Sequence, residues 1–156
     1  MSLSQTSIDM NLVLTGSTSG IGWETLKALI PLVDRVFLPV RNIKKAEKMI
    51  QHLFQKEKIV LIPMDLSIMA EVKKGAIQIL EQCKEIHLLI NNAGGMFPAG
   101  KKTSEGLDLT FATNHLGHFL LTRELMPALI RGEAKIIHVS SIAHQIATDP
   151  SKDLVC

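Results

Sequence analysis

Two adjacent serines near the end of the chain are the first residues whose type and position suggest chemistry. Ser140 and Ser141 follow an apolar run, "KIIHV" (135–139), which predicts a β-strand. Ligands of open α/β sheets bind at the carboxyl ends of strands, so we expect these hydroxyls to lie at a binding or active site. A nucleophilic serine is not favoured, because the stretch lacks the glycines of a nucleophile elbow. The order of Asp and His residues along the chain also does not match that of a hydrolase triad.

A glycine-rich stretch near the start of the chain, "TGSTSGIG" (15–22), has the composition of a phosphate-binding turn. Gly16 allows a sharp turn, while Gly20 and Gly22 remove side chains where backbone approaches a phosphate or a helix packs on a strand. The stretch follows a predicted strand and opens a predicted helix, which is the context of a dinucleotide site. Glycines that serve only the turn are the alternative interpretation.

The elements that position these two motifs alternate along the chain. Apolar runs predict strands over 10–16, 35–40, 58–64, 86–92 and 134–141. Helical periodicity covers 20–30, 43–56, a segment from 67 to 84, and 107–130. Pro31 is expected to end the first helix, and Asn42 and Ser67 to cap the second and third. This alternation predicts one α/β domain over residues 1–156, a Rossmann-like doubly wound parallel sheet with helices on both faces.

Composition and charge exclude several classes of protein. The net charge of +2 is spread along the chain, so no nucleic-acid partner is expected. The start of the chain does not resemble a signal peptide, and no window approaches the ~20 apolar residues of a membrane span. We therefore expect a soluble, intracellular, cytoplasmic protein. Cys83 and Cys156 lack metal-ligand spacing, no metal site is expected, and Cys83 is interpreted as a reduced, partly buried thiol.

Five motifs, in order, resemble the short-chain dehydrogenase/reductase family. They are the TGxxxGxG spacing at 15–22, "MDLS" at 64–67, "NNAG" at 91–94, "TNHLGHFLLT" at 113–122 and "IIHVSSIAH" at 136–144. The last two most resemble the retinol-dehydrogenase-like branch. The resemblance covers nearly the whole chain and implies an oxidoreductase that transfers hydride between a nicotinamide dinucleotide and an alcohol or carbonyl. The branch further implies a small lipophilic substrate.

The resemblance also implies which residues contact the cofactor. Asp65 would accept a hydrogen bond from the adenine amino group with Leu66 packed nearby, and Ala93 and Gly94 would leave room for the adenosine ribose. A loop aspartate before a helix cap explains Asp65 equally well. The implied cofactor-binding set is Thr15, Gly16, Ser17, Ser19, Gly20, Ile21, Gly22, Arg41, Asp65, Leu66, Asn91, Ala93 and Gly94.

Arg41 bears on the choice between NADP(H) and NAD(H). It follows the second predicted strand, where the adenosine ribose of a bound dinucleotide would lie. A guanidinium suits a 2′-phosphate, whereas an acidic residue would accept from a 2′-hydroxyl, and no Asp or Glu occurs between Val36 and Ala46. The sequence therefore favours NADP(H) over NAD(H), with a solvated surface arginine as the alternative.

Asn114 and Ser141 match two catalytic positions of the family. Ser141 would donate a hydrogen bond to the substrate oxygen. Asn114 falls inside a long predicted helix, where asparagine competes for backbone hydrogen bonds, so we expect a local distortion that holds a water in a proton relay. The neighbouring His115 and His118 are interpreted as packing or surface residues without a catalytic role.

The family's general base is a tyrosine in a YxxxK motif that follows the serine, and this chain contains no tyrosine. We therefore expect the 156 residues to be catalytically impaired. The resemblance also implies further strands, so the sheet is expected to be incomplete at its C-terminal edge, with strand 134–141 exposed there. The alternative function is a non-catalytic dinucleotide-binding or interaction protein that self-associates through this fifth strand.

Overall fold

A computed structural model describes residues 10–141 and confirms the predicted α/β architecture. Five parallel strands form one sheet in the order β3-β2-β1-β4-β5. They are β1 (Asn11–Leu14), β2 (Arg35–Val40), β3 (Ile59–Pro63), β4 (Leu88–Asn91) and β5 (Lys135–His138). The strand order reverses between β1 and β4, which creates the crevice where doubly wound sheets bind their ligands.

Five α-helical segments connect the strands. They are α1 (Gly20–Leu29), α2 (Ile43–Ile50), α3 (Met69–Gln82), α4 (Leu109–Phe111) and α5 (Gly117–Arg131). A π-helical turn, Ala112–Leu116, joins α4 to α5, so the predicted helix over 107–130 is present but interrupted. Short 3₁₀ turns occupy Ile30–Leu32, where Pro31 ends α1 as predicted, and Lys56–Lys58.

The sequence located the starts of α2 and α3 with unequal success. The cap at Asn42 is confirmed, because its side chain accepts a hydrogen bond from the Lys45 amide at 2.9 Å. The predicted cap at Ser67 is wrong: α3 begins at Met69, and the Ser67 hydroxyl donates instead to Oδ1 of Asp65 at 2.7 Å. The predicted end of α2 at 56 is also wrong, since the helix stops at Ile50 and Gln55 adopts a left-handed φ of 63°.

The two faces of the sheet carry separate hydrophobic cores. Val13, Phe37 and Leu89 pack beneath α3 and α5, whereas Leu12 and Val36 pack beneath α1 and α2. Strand residues alternate between the faces, and both faces are covered over β1 to β4, which explains why these four strands are apolar almost throughout. All four residues of β5 are exposed. The packing fixes the strand ends relative to the helices and therefore fixes the loops at the carboxyl edge.

Cys83 is buried, as expected, at the end of α3. It is a free thiol, its Sγ donates to the Glu85 carbonyl at 2.9 Å, and burial raises its pKa. Cys156 lies outside the described residues, as does the end of the "IIHVSSIAH" motif. Within residues 10–141, no helix combines the length and apolar character needed to cross a bilayer.

Candidate functional site

A cleft of about 850 Å³ opens at the carboxyl ends of the strands, over the point where the strand order reverses. It falls within the usual size range of small-molecule sites. The cleft is lined by residues 16–22 after β1, 39–41 at the end of β2, 64–66 after β3, 92–97 after β4, 110, 113 and 114 from the helical segment, and 139–141 after β5. Most of the predicted cofactor residues and both predicted catalytic residues therefore share one cavity.

The glycine-rich turn is shaped by contact with the loop after β4. Gly16 has a φ of +69°, and a Cβ added there would lie 2.6 Å from the Cα of Ala93. A Cβ on Gly22 would overlap the carbonyl of Gly16, whereas one on Gly20, at φ +52°, would meet no atom within 4 Å. Gly16 and Gly22 are therefore required by close backbone packing, and Gly20 only by its conformation.

Ser17 gives an independent sign that the cleft accommodates a polar ligand. It lines the cleft, yet its side chain is 2% exposed and its Oγ has no hydrogen-bond partner among the described residues. A buried hydroxyl without a partner is costly, and such groups are uncommon in native structures. The turn after β1 thus combines backbone that packs closely on the loop after β4 with the buried hydroxyl of Ser17.

Thr15 stands behind the cleft wall instead of lining it. Its side chain is buried, and Oγ1 accepts hydrogen bonds from the amides of Asn92 and Ala93, both at 3.0 Å. In return, the Asn92 side chain donates to the carbonyls of Thr15 and Gly16, at 3.0 and 3.3 Å. These four bonds lock the turn after β1 to the loop after β4.

Asn91 also lies behind the cleft, and its neighbour Asn92 lines it. Asn91 is 2% exposed, its Nδ2 donates to Thr122 Oγ1 at 3.1 Å, and its Oδ1 has no partner among the described residues. Successive residues of a strand point to opposite faces, so the two adjacent asparagines have different surroundings. Asn91 was named in the predicted cofactor-binding set, whereas the asparagine that lines the cavity is Asn92.

The expected distortion at Asn114 is present as the π-helical turn Ala112–Leu116. The side-chain amide of Asn114 pairs with the backbone of Gly95: Oδ1 accepts from its amide at 3.0 Å and Nδ2 donates to its carbonyl at 2.9 Å. A π turn of this kind often marks a functional site. Asn114 thereby anchors the loop after β4 at Gly95, whereas Thr15 anchors it at Asn92 and Ala93, and the sequence position of Asn114 did not indicate this role.

The two neighbouring histidines differ. His115 is exposed and its ring lies 5.3 Å from that of Phe111, as expected of a surface residue. His118 is 4% exposed, with Nε2 2.9 Å from Thr15 Oγ1 and Nδ1 3.1 Å from the Asn114 carbonyl oxygen. Burial lowers the pKa of His118, although the hydrogen bond to Asn114 opposes this. His118 is thus a buried, hydrogen-bonded residue behind the site, which sequence reasoning missed.

The part of the cleft next to β2 and β3 contains three further predicted side chains. Asp65 and Leu66 line it after β3, and Arg41 lines it after β2. One carboxylate oxygen of Asp65 accepts from the Ser67 amide and hydroxyl, at 2.9 and 2.7 Å, so the residue also organises its own turn. Across residues 10–141, no group of three His, Cys, Asp or Glu side chains is placed to hold a metal ion.

Known sequences are similar to this chain over most of its length. Residues 10–149 match the family model described as short chain dehydrogenase. Human retinol dehydrogenase 12 is 35% identical over 147 residues, which is 92% of this chain and 46% of that protein. Human retinol dehydrogenase 11 is 38% identical over 139 residues, or 86% of this chain and 44% of that protein. The chain therefore spans less than half the length of these two relatives.

A similar fold is found in a solved structure. A metagenomic short-chain oxidoreductase in complex with NADP superposes with a TM-score of 0.76 and 26% sequence identity. The alignment covers 90% of this chain and 66% of the other. The likeness extends over almost all of the sheet and helices described above.

Replacing Thr15 with valine should destabilise the protein because it removes a buried acceptor and keeps the shape. The amides of Asn92 and Ala93 would lose their partner, and we expect Thr15→Val to lower the free energy of unfolding by about 2–4 kcal/mol. Urea unfolding followed by circular dichroism measures this change. The control Thr15→Ser retains the hydroxyl and should lose only about 1 kcal/mol. Equal losses in the two variants would show that the hydroxyl does not anchor the loop.

Proposed function

The chain belongs to the short-chain dehydrogenase/reductase family, in its retinol-dehydrogenase-like branch, and on that basis we propose that it binds NADP(H) in the cleft. The observation that carries this proposal is the glycine-rich turn after β1. Gly16 and Gly22 are tightly packed against neighbouring backbone, and Ser17 lines the cleft with a buried hydroxyl that has no hydrogen-bond partner in residues 10–141. Amides at the start of α1 would face the pyrophosphate, where the helix dipole favours negative charge.

The remaining lining residues account for the rest of a dinucleotide. Asp65 and Leu66 would contact the adenine, and Ala93 and Gly94 would leave space beside the adenosine ribose. Thr15 and Asn91 would contribute by fixing the backbone of the cleft wall from behind. Arg41, exposed at the end of β2, would pair with a 2′-phosphate through its planar donors, which supports NADP(H) in preference to NAD(H).

The choice of cofactor is tested by removing the guanidinium. In Arg41→Ala, NADPH should bind about tenfold to a hundredfold more weakly, because a charge-assisted pair with phosphate is lost. NADH affinity should be unchanged, since it has no 2′-phosphate. Isothermal titration of the purified chain with each dinucleotide gives both constants.

The matched control is Lys44→Ala. Lys44 is a basic residue that lies in a separate shallow depression on α2, so NADPH affinity should stay within about twofold of the unmodified chain. Equal weakening by both substitutions would indicate a diffuse field in place of a specific phosphate contact. Failure of the unmodified chain to bind either dinucleotide at millimolar concentration would refute the proposal.

The half of the cleft nearer β5 would bind the substrate. Ser141 and Asn114 line the same cleft, so a small lipophilic alcohol or carbonyl placed there could receive a hydrogen bond from Ser141. A bound nicotinamide would supply or accept the hydride. The reaction also needs a proton donor or acceptor at the substrate oxygen, which in this family is a tyrosine assisted by a lysine, and the 156 residues contain no tyrosine.

We therefore expect these residues alone to turn over carbonyl substrates weakly or not at all. A missing general base typically costs about 10²–10⁴-fold in rate. The measurement is NADPH oxidation in the presence of a lipophilic aldehyde, with Ser141→Ala as the matched variant. Robust turnover that disappears in Ser141→Ala would contradict the expected impairment and place the activity at this cleft.

A second candidate function, self-association through β5, is supported by the exposure of that strand. β5 pairs with β4 on one side only within the described sheet, and all four of its residues are exposed. Three apolar side chains lie along or just after it: Ile136 is 39% exposed, Ile137 47% and Val139 43%. Unpaired backbone groups beside apolar side chains favour pairing with another strand, and two copies would pair antiparallel about a two-fold axis.

The self-association candidate is tested by placing a charge on the edge strand. Ile137→Lys should shift the chain from dimer towards monomer in sedimentation velocity experiments, because a lysine on an edge strand opposes the pairing of that strand with another chain. The control Ile130→Lys adds the same charge at a residue 69% exposed on α5 and should leave the dimer intact. Loss of the dimer in the control variant alone would place the interface on α5.

A further inference from the structure

The loop that forms one wall of the cleft, residues 92–95, is held at two points. Thr15 Oγ1 accepts from the amides of Asn92 and Ala93 at one end. Asn114 pairs with both backbone groups of Gly95 at the other end. The first anchor belongs to β1 and the second to the π-helical turn, so the wall is positioned by elements about a hundred residues apart in the sequence.

One side chain connects these two anchors. The imidazole of His118 lies between them, with Nε2 2.9 Å from Thr15 Oγ1 and Nδ1 3.1 Å from the Asn114 carbonyl oxygen. A carbonyl oxygen can only accept, so Nδ1 must carry the proton. In the neutral ring Nε2 then accepts, and the Thr15 hydroxyl must be the donor. The Thr15 contact with the Ile90 carbonyl is longer, at 3.4 Å, which agrees with this direction.

We propose that His118 is a positioning residue: as a neutral imidazole protonated on Nδ1, it ties Thr15 to Asn114 and holds the loop of residues 92–95 in the geometry that receives the cofactor. The effect of His118 on cofactor binding rests on the proposed dinucleotide binding, whereas its tautomer and its link between the two anchors do not. The role is distinct from packing, because a phenyl ring of similar size would fill the same space without either hydrogen bond.

Protonation of His118 would break this arrangement. A charged imidazole carries a second N–H, on Nε2, directed at Thr15 Oγ1. That oxygen has two lone pairs, and both are taken by the amides of Asn92 and Ala93. Burial of the ring lowers its pKa, and the neighbouring His138 on β5 and His115 in the π turn lower it further. The neutral form is therefore required at the site.

The link has a direct consequence for stability. In the unfolded chain His118 takes up a proton near its ordinary pKa of 6.5, while in the folded chain its pKa is lower. Lowering the pH below about 6.5 thus favours the unfolded and locally opened states. The amides that Thr15 anchors should exchange faster as the pH falls through this range, after correction for the intrinsic pH dependence of exchange.

The first test uses the chain without cofactor. Imidazole nitrogen NMR at about pH 7.5 should show His118 neutral with the proton on Nδ1. Amide exchange of Asn92, Ala93 and Gly95 should be at least about tenfold faster in His118→Phe than in the unmodified chain. His118→Gln, whose amide can still reach Thr15, should give intermediate exchange. A proton on Nε2, or unchanged exchange in the phenyl variant, would overturn the proposal.

The second test measures NADPH affinity. We expect His118→Phe to bind about tenfold more weakly than the unmodified chain, and the affinity of the unmodified chain to decline as the pH is lowered below about 6.5. The decline should be smaller in His118→Gln, which has no titrating group there. His115→Gln, the same change on an exposed ring of the π turn, should retain both the affinity and the decline. Full affinity in His118→Phe would overturn the cofactor part of the proposal.

The two tests separate this inference from the proposed function. If the unmodified chain binds no dinucleotide, the proposed function fails, while the NMR and exchange results still decide whether His118 links the two anchors. Should His118→Phe not fold, the tautomer and the pH dependence of exchange in the unmodified chain still provide the decision.

Discussion

The close contact between the turn after β1 and the loop after β4 is the constraint on which the rest of the site depends. Gly16 brings its backbone so near to Ala93 that no side chain fits between them. The two segments belong to adjacent parallel strands, and their separation is set by the hydrogen bonds of the sheet. The sheet thus dictates where the cleft wall stands, and the glycine permits the turn to meet it.

A contact between two loops is useful only if both loops are held. Loop backbone has unpaired N–H groups that would otherwise require water, and an apolar environment would leave them unsatisfied. Here the amides of Asn92 and Ala93 are paired by Thr15, and that of Gly95 by Asn114. The polar layer behind the cleft therefore satisfies backbone groups and fixes the wall through the same bonds.

The sequence predicted the sheet and its parallel strands, and it named most of the residues that share the cleft, because these follow from local patterns. Apolar runs, the glycine spacing and the position of Ser141 are readable within a few residues. The Ser67 cap was wrong because Asp65, two residues away, competes for the hydroxyl. The role of His118 was missed for a different reason: its partner Thr15 is 103 residues away, and no local pattern reports a contact over that separation.

A histidine at the centre of the polar layer has a physical rationale. The Thr15 hydroxyl donates a hydrogen bond, and the Asn114 carbonyl oxygen accepts one. A group that links the two must therefore accept from Thr15 and donate to Asn114. A neutral imidazole does both across a rigid ring, whereas a serine is too short and a lysine only donates. The requirement for this dual character, more than for volume, selects the residue. Burial lowers the pKa of His118 and so favours the neutral ring. The neutral ring is the only protonation state that makes both hydrogen bonds.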